Sequence, residues 1–140
     1  MPSTPLGFNS KNGKQYKVMI VDDSSIIRIA EKKILLSEDF NVVMEADNAM
    51  AALKYLREIP DKPDIIMLDF EMPQMNGIDL LKRIRALNYE GKIVVVTSHT
   101  NKDTFMEFVN LKVDTYIAKP IQRQIIIAHL ARILGRFDYL

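Results

Sequence analysis

The chain has 140 residues, 48% of them hydrophobic, with 19 basic against 18 acidic side chains, which is the size and balance of one globular domain. A net charge of +1, with Lys and Arg scattered among comparable numbers of Asp and Glu, provides no basic stripe for a nucleic-acid backbone. Apolar runs such as Ile65–Leu68 fall far short of the ~18 residues of a spanning helix, no signal-peptide core is present, and the absence of cysteine removes disulfides, thiolate catalysis and Cys-bound zinc, so the expected setting is the cytoplasm, away from membrane and nucleic acid.

Met1 to Gln15 holds two Pro, two Gly, two Asn and two Ser with little periodicity. This composition predicts a flexible N-terminal arm over 1–15, with the folded domain running from Tyr16 to Leu140. Short β-branched runs then recur at Val18–Val21, Asn41–Glu45, Ile65–Leu68, Ile93–Val96 and Thr115–Ala118, and each reads as a strand. Helical spacing fills the intervals. Ile27, Ala30 and Ile34 follow the first strand, Ala49, Leu53 and Leu56 the second, and Leu80, Leu81, Ile84 and Leu87 the third. Phe105, with Phe108 or Val109, has the spacing of a fourth helix burying one face, and Ile121 to Leu134 forms a fifth, with Pro120 tolerated near its start. Ser24, Asn48 and either Asn101 or Asp103 are placed to cap helices. A (βα)5 alternation predicts an α/β fold, a doubly wound five-stranded parallel sheet with right-handed crossovers and helices on both faces.

In such a sheet the site lies beyond the carboxyl ends of the strands. There the apolar runs stop at Asp22-Asp23, Asp69, Thr97-Ser98 and Lys119-Pro120. A single Asp after a strand is more often a cap or turn residue than a ligand, so the combination carries the argument. Three clustered carboxylates repel one another unless a cation sits among them, and all-oxygen ligation suits a hard ion such as Mg²⁺ (or Mn²⁺). Lys119 and Thr97 add a positive point charge and a hydroxyl donor, which together suit an anion with three spread oxygens, such as a phosphoryl group.

The strings VMIVDDSSIIR, IIMLDFEMPQMNGIDLL, IVVVTSH and TYIAKP resemble the receiver domain of two-component response regulators, over roughly Lys17 to Leu134. The resemblance implies the flavodoxin-like strand order 2-1-3-4-5, an order the chemotaxis regulator of this family itself exemplifies. It also implies that Asp69 is the phosphoacceptor, attacking a phosphohistidine donor. Asp22, Asp23, Asp69 and the backbone carbonyl of Glu71 would hold the metal, Lys119 would pair with the phosphoryl oxygens, and Thr97 and Tyr116 would form the switch. Tyr116 would turn from exposed to inward and change a surface bordered by Phe105, Phe108 and Ile121. A cis Lys119-Pro120 bond is expected from the family's Lys-Pro turn. With nothing after Leu140, the chain is most similar to the single-domain, chemotaxis-type regulators. Its implied partners are a histidine kinase or phosphotransfer protein and a downstream target such as a flagellar motor switch component.

Three positions depart from the commonest pattern. Glu71 stands where smaller or amide residues are frequent; repulsion of phosphate, water-mediated metal ligation and simple solvation are all open to it. Ser98 follows Thr97 in place of Ala or Gly, and Lys112-Val113 replaces Gly-Ala before the fifth strand. Gly77 is expected to allow a tight turn before the third helix. His99 reads as a surface residue and His129 as structural, because two isolated histidines lack metal-ligand spacing. Two other readings remain: the receiver part of a longer transcriptional regulator, and a phosphohydrolase with an Asp nucleophile. The hydrolase would need an acid/base Asp two residues after the nucleophile, where this chain has Glu71.

Overall fold

The computed structural model describes residues 4–98 and 101–140; His99 therefore lies outside the described residues. A short antiparallel hairpin of β1 (Phe8–Asn9) and β2 (Lys14–Gln15) precedes the sheet. Five parallel strands follow: β3 (Lys17–Val21), β4 (Asn41–Ala46), β5 (Ile65–Asp69), β6 (Lys92–Thr97) and β7 (Thr115–Ala118). Their order is β4-β3-β5-β6-β7, which is 2-1-3-4-5 counted along the chain. Every residue of β5 is buried, as a central strand covered on both faces requires.

The helices are α1 (Ser25–Ser37), α2 (Ala49–Glu58), α3 (Gly77–Ala86), α4 (Lys102–Asn110) and α5 (Arg123–Ile133). The period-2 alternation of the strands separates two cores. Val18, Ile20, Ile65, Met67, Val94 and Val96 pack with Leu35 of α1 and Ile126 and Leu130 of α5. Met19, Val21, Ile66, Leu68, Ile93 and Val95 face the other way, against α2, α3 and Phe108 of α4. Ser24, Asn48 and Asn101 cap α1, α2 and α4. Asn76 caps α3 by accepting from the Ile78 N–H at 2.8 Å, a cap the sequence reading did not identify.

Four expectations need correction. Residues 4–15 are not a free arm: Leu6 is fully buried in the α1/α5 core, and the Gly7 N–H donates to the Glu38 carbonyl at 2.7 Å. One apolar anchor in a segment of turn-forming residues leaves no periodic signal, yet it is enough to fix the segment. Helix α4 buries only Phe108, whereas Phe105 and Val109 are exposed. On α1 the most buried positions are Glu31 and Leu35, one residue displaced from the apolar face of Ile27, Ala30 and Ile34, which is half-buried. Gly77 opens α3 without a left-handed turn; a Cβ there would lie 2.4 Å from the Phe70 ring, so close approach of that ring is the reason for glycine.

Candidate functional site

Register brings the strand ends together. Val21 pairs with Leu68, Asp69 with Val96 and Thr97 with Ala118, so Asp22, Asp69, Thr97 and Lys119 emerge side by side along one rim. The Asp22 N–H is held by the Ala46 carbonyl at 3.0 Å and the Lys119 N–H by the Thr97 carbonyl at 2.9 Å. The Lys119-Pro120 bond is cis, as expected, and the Lys119 ammonium reaches back over the sheet to Asp69 Oδ1 at 2.8 Å.

The carboxylates differ in their surroundings. Asp69 is 3% exposed and Asp22 1%, whereas Asp23 is exposed. One ligand oxygen from each of the three lies within 4.8 Å of the others. Asp22 Oδ1 accepts from the Ser24 N–H at 2.8 Å, but Asp22 Oδ2 is buried without a hydrogen-bond partner among the described residues. Loss of solvent pushes the Asp22 carboxyl up to about 6, helped by the negative charge of Asp69. Burial also raises Asp69, against the opposing effect of Lys119. A buried orphan oxygen among three converging carboxylates fits a hard divalent cation, whose charge would neutralise the repulsion.

Glu71 was the unresolved position, and its side chain turns inward. Its Oε1 accepts from the Thr97 hydroxyl at 3.0 Å, the Ser98 hydroxyl at 2.7 Å and the Ser98 N–H. Its Oε2 lies 3.1 Å from the Lys119 ammonium. Partial burial alone would raise this carboxyl, but the donors from Ser98, Lys119 and Thr97 outweigh it and hold Glu71 at about 2. The Glu71 N–H donates to Asp69 Oδ1 at 3.1 Å. Lys119 thus bridges two carboxylates, and their combined charge keeps its ammonium protonated against partial desolvation.

Tyr116 is half-buried, its ring 5.5 Å from Phe105 and 5.8 Å from Phe108. His129 lies on α5 with Nδ1 2.7 Å from the Thr115 hydroxyl, away from the rim. The rim therefore gathers Asp22, Asp23, Asp69, Glu71, Thr97 and Lys119. Glu31 was missed: it is 2% exposed on α1, and its carboxyl is pushed up to about 8 by burial, then by the charges of Asp22 and Asp69.

Comparison with known proteins gives a consistent result. The model of the response regulator receiver domain matches residues 18–131. The chemotaxis protein CheY of Listeria monocytogenes is 34% identical over 106 residues, 76% of this chain and 87% of that protein. CheY of Thermotoga maritima is 32% identical over 117 residues, 84% of this chain and 96% of that one. Among solved structures, the CheX-CheY-BeF3-Mg complex of Borrelia burgdorferi superposes with a TM-score of 0.86 at 28% identity, covering 94% of this chain and 98% of its counterpart.

Proposed function

The chain belongs to the response regulator receiver family, whose members are phosphorylation-activated signalling switches, and from that premise we propose that Asp69 is its phosphoacceptor and that it works in chemotaxis. The observation that carries the assignment is a buried carboxylate at the end of the central strand, 2.8 Å from an ammonium and clustered with two further carboxylates. Resemblance to the named chemotaxis proteins supports the pathway. A histidine kinase or phosphotransfer protein would supply the phosphoryl group, and a flagellar motor switch component would read the result.

In the transfer, a carboxylate oxygen of Asp69 forms the new O–P bond while the P–N bond to the donor imidazole breaks. Lys119 lowers the cost of bringing an anionic group to an anionic nucleophile. Asp22, Asp23, Asp69 and the Glu71 carbonyl would hold Mg²⁺. Bound there, the ion would supply positive charge that offsets the negative charge of the phosphoryl oxygens. Thr97 would follow the added charge with its hydroxyl, and Tyr116, on the neighbouring strand, would pass the change to the surface of α4, β7 and α5. The hydrolase reading is disfavoured by Glu71, because a carboxyl held near 2 by four donors is a poor general acid.

Intact-mass measurement with Mg²⁺ and a small acyl phosphate tests this. One phosphoryl mass is expected in the wild type and none in Asp69→Asn or in excess EDTA. Undiminished labelling of Asp69→Asn would reject Asp69, and continuous release of phosphate from many small esters would restore the hydrolase reading.

A further inference from the structure

We propose that the Glu71 carboxylate is a built-in stand-in for the phosphoryl group, seated on the donors that group would use, and that it must be displaced when Asp69 is phosphorylated. The inference rests on Asp69 being the acceptor and goes beyond it to how the site is governed before any phosphate arrives.

A phosphoryl group on Asp69 needs donors for its equatorial oxygens. The donors gathered beside Asp69 are the Thr97 hydroxyl, the Ser98 N–H and hydroxyl, and the Lys119 ammonium, and Glu71 engages all of them. It does so as a carboxylate, an acceptor-only group whose two oxygens are matched here to four donors. Backbone geometry holds the side chain near this seat, because the Glu71 N–H is itself bonded to Asp69 Oδ1. The Ser98 N–H is a donor any residue would supply, but the hydroxyl contact at 2.7 Å comes from the serine side chain, and it joins the two departures at 71 and 98 directly.

Two consequences follow. An incoming donor carries negative charge toward two carboxylates that share one ammonium, and Glu71 has to release charge-assisted bonds before Thr97, Ser98 and Lys119 can turn to the phosphoryl group. Uptake is therefore restrained by a side chain that takes no part in bond making. Thr97 is also already committed to an anion in the unmodified chain. Phosphorylation then exchanges one anion for another of higher charge rather than filling an empty seat.

The test uses the full chain as wild type, Glu71→Ala and Glu71→Gln. In EDTA without phosphodonor, the Ser98 amide proton resonance reports the bond to Glu71. It should lie downfield in the wild type, move upfield in the Ala variant and stay intermediate in the Gln variant, whose amide oxygen still accepts but lacks charge. With Mg²⁺ and acetyl phosphate, Asp69 gains an O–P bond as the P–O bond to acetate breaks, and intact mass follows the rate. Glu71→Ala should be labelled on the order of ten-fold faster, the equivalent of one charge-assisted hydrogen bond no longer to be broken, with Glu71→Gln between. Equal rates in all three, or a Ser98 resonance unmoved in Glu71→Ala, overturns the proposal while leaving the acceptor in place. No mass gain in any of the three overturns the acceptor assignment, and the proposal with it.

Discussion

Glu31 occupies a position on α1 where the fold provides almost no solvent, and the consequence is a defined dependence of stability on pH. Its carboxyl rises from 4.5 to about 8 on folding, first through burial and then through Asp22 and Asp69. A raised folded value means that the folded chain holds the proton more tightly than the unfolded one. The resulting stability is complete below pH 4.5 and is lost as pH rises toward 8. At about 1.4 kcal/mol per unit of difference, the loss is on the order of a few kcal/mol. Thermal melts in EDTA from pH 4 to 9 should therefore show Glu31→Gln gaining on the wild type as pH rises, and parallel curves would contradict this. Asp22 behaves in the same sense between 3.8 and about 6. Burial also moves to Asp22 a stabilisation that adjacency alone would assign equally to Asp23. In metal-free solution Asp22→Asn should melt higher at neutral pH, and Asp23→Asn, which is exposed, should change little. Calorimetric Mg²⁺ titration should show wild-type affinity falling as pH drops through about 6, where proton and cation compete for the same oxygen.

At the scale of elements, the strands were legible because a strand buried on both faces must be an unbroken apolar run, and IIML and IVVV are that. The rim residues were legible for a related reason: the first polar residue after such a run marks the strand's carboxyl end. Helix ends were harder to read. Helices α1, α3 and α4 are followed by Asp39, Asn88 and Lys112, all at positive φ near 60°, where a glycine would have announced the stop. After α4, the Lys112 N–H donates to the Val109 carbonyl and the Val113 N–H to the Phe108 carbonyl, which satisfies the last carbonyls despite the strained residue. A left-handed Lys costs roughly 1–2 kcal/mol, partly offset by the extra freedom a glycine has when unfolded. Lys112→Gly should thus gain up to about 1 kcal/mol in urea denaturation, and Asn88→Gly less, because Asn tolerates that region. The direction of Glu71 was not legible at all, since nothing in FEMPQ distinguishes a solvated carboxylate from one turned onto Thr97 and Lys119. On the output side, Tyr116→Ala removes the ring that joins β7 to Phe105 and Phe108 on α4. Phosphoryl uptake should persist in that variant while the phosphorylation-dependent gain in partner affinity is lost. A full gain, measured with the purified downstream target, would mean that the signal leaves by another route.

Across the whole molecule, the first described residues, from Thr4 on, meet the C-terminal segment near the start of β4, at the end of the strands away from the rim. The Thr4 and Pro5 carbonyls accept from the Arg136 guanidinium at 2.9 and 3.1 Å. Glu38, just past α1, accepts from the Leu6 N–H at 3.1 Å and from Arg123 at 2.9 Å, with the Tyr139 hydroxyl 2.7 Å away. Desolvation there is outweighed by these donors, so Glu38 is held below the usual carboxylate range. Leu6 lies beneath this knot with Phe40 and Leu35 in the same core. No surface periodicity in 1–15 foretold the arrangement, because it depends on contacts with residues 32 and 131 positions away. Its energetic weight is nevertheless large. Truncating a buried leucine costs about 2–5 kcal/mol, a substantial part of a domain stability of roughly 5–15 kcal/mol. Gly7 adds a steric condition, since a Cβ there would lie 2.3 Å from the Phe40 nitrogen. The knot sits by the start of β4, where the Asn41 N–H donates to the Tyr16 carbonyl, whereas the acceptor lies at the strands' far ends. Leu6→Ala and Gly7→Ala should therefore lower the melting temperature markedly. Well below that temperature, both should take up phosphate from a small donor at the wild-type rate. If either variant stayed as stable as the wild type, residues 4–15 would be an arm after all; if uptake fell while the fold remained intact, the two ends of the sheet would be coupled more tightly than this packing implies.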